Sequence, residues 1–202
     1  MKVALIGASG NAGSRILAEL TSRGHDVTAI ARDPAKVPAA AHVTAVAADL
    51  FDTPELTEAL RGHHAVISSV HFTASDPGKL IGAVKEAGVV RYLVVGGAGS
   101  LEVAPGKLLV DTPDFPAAYR DEALGGTAFL DQLRAEASLE WTFLSPSAMF
   151  VPGERTGTFR LGRDQLLVND HGSSISFEDY AIAMIDELEQ PQHIRQRFTV
   201  GY

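Results

Sequence analysis

The 202-residue chain contains no cysteine. That excludes a disulfide framework, a thiolate metal site and a cysteine nucleophile. It also lacks a surplus of positive charge, with 17 lysines and arginines against 25 aspartates and glutamates and a net charge of −8. Such a balance disfavours nucleic acid as a partner, because neutralising a phosphate backbone needs excess cations, yet it leaves room for a local basic pocket around one small anion. No apolar run approaches the roughly 18 residues needed to cross a bilayer. The opening stretch MKVALIG stops being apolar at Gly7, too soon for a signal peptide, so a cytoplasmic protein without a membrane partner is expected. What the chain does have is apolar material, 46% of its residues, enough to build a core. At this length one domain over residues 1–202 is expected, as a monomer or homodimer.

Short apolar, β-branched runs alternate with longer helix-period segments. Residues 3–6, 27–31, 43–47, 65–70, 92–95 and 141–144 read as strands. Residues 11–23, 80–87, 117–137 and 177–188 read as helices. Strands apolar on both faces and separated by helices predict a doubly wound parallel α/β sheet. Thr53 before Pro54 reads as a helix cap, as does Ser176 three residues before Asp179. The run 96–116, rich in glycine and proline, reads as a long functional loop after the fifth strand. Residues 146–175, broken by prolines and glycines, read as a small irregular lobe on the substrate side, and the acidic group Asp186, Glu187 and Glu189 as a solvated helix face.

The first strand runs into Gly7-Ala8-Ser9-Gly10-Asn11-Ala12-Gly13, which then opens a helix. Gly7 suits the tight turn, Gly10 the approach of a phosphate, and Gly13 close helix–strand packing, while free amides around Ser9, Asn11 and Ala12 face the anion. This is a dinucleotide-binding arrangement, and its bland alternative is a tight turn with no ligand. Arg32, at the end of the second strand, suits a 2′-phosphate, so NADP(H) is favoured over NAD(H), with Lys36 as a second charge. The other reading leaves Arg32 in solvent and Asp33 as ribose ligand or cap. Asp49 and Leu50 are placed against the adenine, unless Asp49 merely closes a turn. Ser69, Val70 and His71 after the fourth strand, with Gly96 and Gly97 after the fifth, are placed along the ribose and nicotinamide, with His71 equally readable as a plain loop histidine.

Together GASGNAG, AIARDPAKV, AADL, VISSVH, YLVVGGAGS, LEWTFLSPSAMFVPGERTG and ISFEDYAIAMIDELE resemble the atypical short-chain dehydrogenase/reductases of the NmrA-like and flavin/biliverdin-reductase-like type. The resemblance spans nearly the whole chain. It implies a Rossmann fold, nicotinamide coenzyme binding, and either reduction of a small planar acceptor or a regulatory role that senses NADP(H) without turnover.

One pattern is missing. Dehydrogenases of the short-chain type use Tyr-x-x-x-Lys, in which the lysine lowers the tyrosine pKa. Here Tyr119 is followed by Ala123 and Tyr180 by Met184. Alcohol oxidation and sugar epimerisation by that pair are therefore disfavoured. Hydride transfer to a stacked flavin, FMN or FAD entering as substrate, or to a quinone asks mainly for positioning. Ser100 and Tyr119 are then the candidate catalytic hydroxyls, otherwise a loop serine and a packing residue. Phe150, Pro152 and Arg155 are the candidate apolar wall and anionic handle for the acceptor. No metal site is expected, since the adjacent His63 and His64 would point opposite ways on a strand.

Overall fold

Alternate residues of the first strand serve opposite sides of the molecule. Val3 and Leu5 enter one buried cluster, and Ala4 and Ile6 enter another. A strand apolar on both faces must be covered twice, and the computed structural model, which describes residues 1–202, shows how. The strands are β1 (Lys2–Ile6), β2 (Asp26–Ala31), β3 (Val43–Ala47), β4 (Ala65–Ser68), β5 (Arg91–Val95), β6 (Glu102–Ala104), β7 (Lys107–Leu108), β8 (Glu140–Pro146), β9 (Met149–Val151), β10 (Arg160–Gly162), β11 (Ser174–Ser176) and β12 (Gln196–Gly201). The helices are α1 (Asn11–Ser22), α2 (Thr53–Leu60), α3 (Pro77–Glu86), α4 (Arg120–Ala135) and α5 (Phe177–Glu189).

The main sheet has the order β10-β12-β8-β5-β4-β1-β2-β3, parallel throughout except for β10 at its edge. One face is covered by α1 and α5, through Ile16, Leu20, Tyr180 and Met184. The other is covered by α2, α3 and α4, through Leu56, Leu80, Val84 and Phe129. This is the doubly wound α/β fold the residue pattern predicts. The order reverses at β1, flanked by β2 and β4, and at such a switch point the strand ends leave a crevice. None of the helices is long and apolar enough to cross a membrane.

Several local expectations change. β12, a polar-looking terminal run, is a seventh parallel strand, and it adds β10 as an antiparallel edge. The segment after β5 contains the β6–β7 hairpin and a 3-10 turn at Leu109–Asp111. The helix read from residue 117 begins with a 3-10 turn at Ala117–Tyr119 and becomes α-helical at Arg120. Asp52, one residue earlier than Thr53, caps α2 by accepting from the Glu55 amide. Ser176 caps α5 as expected. Asp179 does not complete a reciprocal box, because its carboxylate accepts from Thr156 Oγ1, the Gly157 amide and the Tyr202 hydroxyl.

The reading of Glu187 as part of a solvated face is corrected. It is 4% exposed, faces Arg91 at 3.1 Å and lies 2.8 Å from His193 Nδ1. Helix periodicity could not reveal this, because the buried partner Arg91 opens a strand 96 residues away. Asp186 and Glu189 are more open, and both take Arg23, which follows the end of α1.

Candidate functional site

Between Ile6 and Asn11 the chain leaves β1 and turns into α1. Gly7 does this with φ +82°, and a Cβ there would lie 2.1 Å from the Ser69 carbonyl oxygen. A Cβ on Gly13 would lie 2.1 Å from the Gly7 carbonyl oxygen. These two glycines let β1, α1 and the end of β4 close on one another. Gly10 is different in kind. The nearest atom to a Cβ there is the Gly7 oxygen at 3.4 Å, so the protein's own packing does not demand a glycine.

Gly10 is the N-cap of α1, with no side chain bonded to the first-turn amides and no acidic residue in that turn. Other helices begin differently. Asp52, Asp76 and Ser176 accept from backbone amides at the starts of α2, α3 and α5. The start of α1 is thus left with free donors and the positive end of its dipole, conditions that suit an anion.

That helix start opens into a cleft of about 920 Å³. Gly7, Ser9, Gly10, Asn11 and Ala12 line it, with Arg32, Asp49 and Leu50 on the β2–β3 side. Ser69, Val70, His71, Gly96 and Gly97 line its middle, and Tyr119, Met149, Phe150 and Phe177 are also in its wall. Gly13 lies outside the lining, in keeping with its packing role, and so does Lys36. Arg32 is exposed and makes no ion pair or hydrogen bond within the protein. Asp33 does not line the cleft; its carboxylate caps a 3-10 turn through the Ala35 amide and lies 3.7 Å from Lys36 Nζ. Asp49 lines the cleft but also closes a turn, accepting from the Phe51 amide at 2.9 Å.

Three candidates fall elsewhere. Ser100 is 7% exposed and outside the cleft, with its hydroxyl 3.4 Å from Arg197 Nη1. The hydroxyl faces a buried hub in which Arg197 also donates to the Ser100 carbonyl and to Asp164. Arg155 forks onto Glu19 at 2.9 and 3.0 Å, away from the cleft, and Pro152 does not line it either. Glu19 is buried on α1, so it captures the guanidinium that the sequence offers as an anion handle.

Tyr119 does reach the cleft, 66% exposed at the N-cap of α4. The position where a lysine would stand is Ala123, and it is closely packed, since a Cβ on Gly99 would lie 2.6 Å from the Ala123 Cβ.

Two wall residues carry no sequence motif. Glu122 accepts from the Phe72 and Thr73 amides, from Thr73 Oγ1, and pairs with His71 Nδ1 at 3.2 Å. Burial pushes its carboxyl up, but those donors outweigh burial and hold it below its ordinary value. It fastens the turn after β4 to α4. Phe72 in that turn sits against Gly126, where a Cβ would lie 2.8 Å from its ring, and stacks on Phe143. The adjacent glycines Gly125 and Gly126 inside a helix are the sequence signal that could have revealed this close approach.

The chain matches the NAD(P)H-binding family over residues 7–191, from the first glycine of the turn to the end of α5. It is 45% identical over 212 residues to the uncharacterized protein YwnB of Bacillus subtilis, covering 99% of this chain and 98% of that one. A solved structure of a candidate epimerase from Bacteroides thetaiotaomicron is 43% identical, with a TM-score of 0.95 over 100% of this chain and 96% of that one. A candidate NADH-flavin reductase from Streptococcus pneumoniae is 38% identical, with a TM-score of 0.84 over 100% and 99%. With its uncapped helix start opening on the crevice of a doubly wound sheet, and with a match that runs through nearly the whole fold, the chain belongs to the NAD(P)H-binding family.

Proposed function

We propose that the protein is an oxidoreductase that uses NADP(H) in preference to NAD(H) and passes a hydride to a planar acceptor, a flavin or a quinone, that enters as substrate. The observation that carries this reading is the composition of one cleft: free main-chain donors in one part, aromatic walls in another, and no lysine behind its tyrosine. The bound coenzyme supplies the hydride. The amides from Ser9 to Ala12 hold the pyrophosphate against the start of α1. Arg32 grips the 2′-phosphate, and Asp33, committed to its own turn, leaves no carboxylate for a ribose hydroxyl. Leu50 covers the adenine and Asp49 borders it. Ser69, Val70, His71, Gly96 and Gly97 border the nicotinamide, where backbone and glycine permit a flat ring to approach.

Phe150, packed on Phe177 at 4.5 Å between ring centres, gives the acceptor a rigid apolar face and excludes water from one side. Tyr119 is the cleft hydroxyl available to orient the acceptor. Because no lysine follows it four residues on, the work falls to alignment of two rings more than to acid–base chemistry. The neighbour named as an epimerase does not alter this reading, since epimerisation through a tyrosine–lysine pair needs the residue that Ala123 replaces.

The test is loss of NADPH absorbance when the purified protein is mixed with a flavin or a quinone. The reading expects catalytic turnover. A rate no greater than that of heat-killed protein, with NADPH still bound, would leave a coenzyme sensor instead. Arg32→Ala is expected to weaken NADPH by roughly tenfold or more while sparing NADH, the loss of one charge-assisted contact. Equal losses would remove Arg32 from the 2′-phosphate.

A further inference from the structure

The charges around the cleft are unevenly placed. Arg32 is the one lysine or arginine in its lining, and it follows β2. On the other side of β1, the lining holds two acids, Asp114 and Glu122, and no lysine or arginine, with His71 Nδ1 3.2 Å from Glu122. Two arginines from nearby segments are turned elsewhere. Arg120 donates to the Val110 carbonyl at 3.1 Å and is absent from the lining, and Arg155 is held by Glu19. Asp114 is exposed and has no hydrogen-bond or ion-pair partner in the protein. Glu122 stays ionised in neutral solution, since its backbone and side-chain donors stabilise the carboxylate. Between these acids the surface is apolar, with Phe72, Phe115, Met149 and Phe150.

We infer, building on the reductase reading, that the acceptor is an uncharged planar ring, a quinone or a flavin lacking its phosphate. The two acids at the acceptor end disfavour the anionic forms. A phosphate on the ribityl tail, or a sulfonate on the ring, finds no lysine or arginine there to replace its water and meets two carboxylates instead. The reaction needs no charge at that end. A C–H bond of the dihydronicotinamide breaks and its electron pair moves with the hydrogen to the acceptor ring. A proton from solvent completes the neutral dihydro product, and the coenzyme leaves oxidised by two electrons.

The experiment compares acceptors that share a ring and differ in charge: riboflavin against FMN, and a naphthoquinone against its sulfonate. At low salt the phosphate or sulfonate is expected to lower kcat/KM by about tenfold, mainly through KM, a size set by like charges at close range in partly screened surroundings. The gap should narrow as salt rises. Asp114→Lys, at an exposed position that folding does not depend on, should shrink the gap at least ~3-fold by turning repulsion into attraction. FMN used as well as riboflavin at low salt would overturn the inference while leaving the reductase reading standing. So would a gap indifferent both to salt and to Asp114→Lys. Failure of all four acceptors in a protein that still binds NADPH would overturn the reductase reading itself, and this inference with it.

Discussion

Where β1 runs into α1 the cleft is walled largely by main chain, from Gly7 to Ala12, with Arg32 standing free on the neighbouring β2–β3 side. On the β5–β8 side it is walled by side chains drawn from separate segments, and these are held by buried polar ties. Glu122 holds residues 72 and 73 of the wall, while outside the cleft Arg197 holds Ser100 across 97 positions of sequence and Glu19 holds Arg155 across 136. A backbone wall depends on a few glycines and suits a ligand common to many chains. A side-chain wall depends on which residues happen to meet, so it carries what is particular to this protein. The two sides should therefore fail differently when altered.

The largest effect is expected at the backbone wall. Gly10→Val should weaken NADPH binding by about 100-fold or more while costing no more than ~1 kcal/mol of stability, because the added atoms enter ligand space and not packed protein. Calorimetric titration beside a thermal melt separates the two quantities. Gly7→Val, in contrast, should fail to fold, since its Cβ would strike the Ser69 carbonyl at a φ of +82°. If both variants fold and bind, the backbone wall is wrongly located.

Next comes the hub behind the second wall. Arg197→Met should cost about 3 kcal/mol in denaturant unfolding, since it takes away a buried cation that three groups share. NADPH affinity of the folded fraction should hardly change. A variant as stable as wild type would show that the loop after β5 is fixed by packing alone.

Glu122→Gln should cost about 1–2 kcal/mol near neutral pH, the loss of charge-assisted bonds to the turn after β4. The dependence on pH has a definite sign. The folded carboxyl lies below its unfolded value, so its contribution is fully present above the ordinary glutamate range of about 4.3 and is lost as pH falls through the lowered folded value. Melts of the two proteins should thus converge in acid and separate towards neutrality. Curves that stay parallel down into acid would contradict the role of charge.

The smallest effect is expected for Arg155→Ala, less than about 1 kcal/mol, because the arginine is more than half exposed and Glu19 keeps Arg23. Turnover and acceptor KM should be unchanged. A large rise in KM would restore Arg155 as an acceptor contact.

The contrast between the walls also explains what could be read from the residues alone. The glycine turn, the strands β1 to β5 and the place of Arg32 are local patterns, legible because a strand apolar on both faces and a turn with three spaced glycines each have few meanings. β12 went unread because Arg197 and Thr199 interrupt its apolar run, and only in the fold do their polar groups find Asp164 and the Ser145 carbonyl. Ser100, beside the Gly96–Gly99 loop, and Arg155, close after Phe150, each carry fitting chemistry in the sequence, and each is claimed by a partner more than 90 residues away. Glu122 and Asp114 are ordinary acids in the sequence, and they gain meaning from the cleft they share.

The account rests on a coenzyme pyrophosphate seated on the open start of α1. Calorimetric titration of wild type and Gly10→Val with NADPH tests this most directly. The account predicts saturable heat at one site per chain for wild type and its loss in the variant. No heat with wild type, or the same isotherm for both proteins, would contradict it.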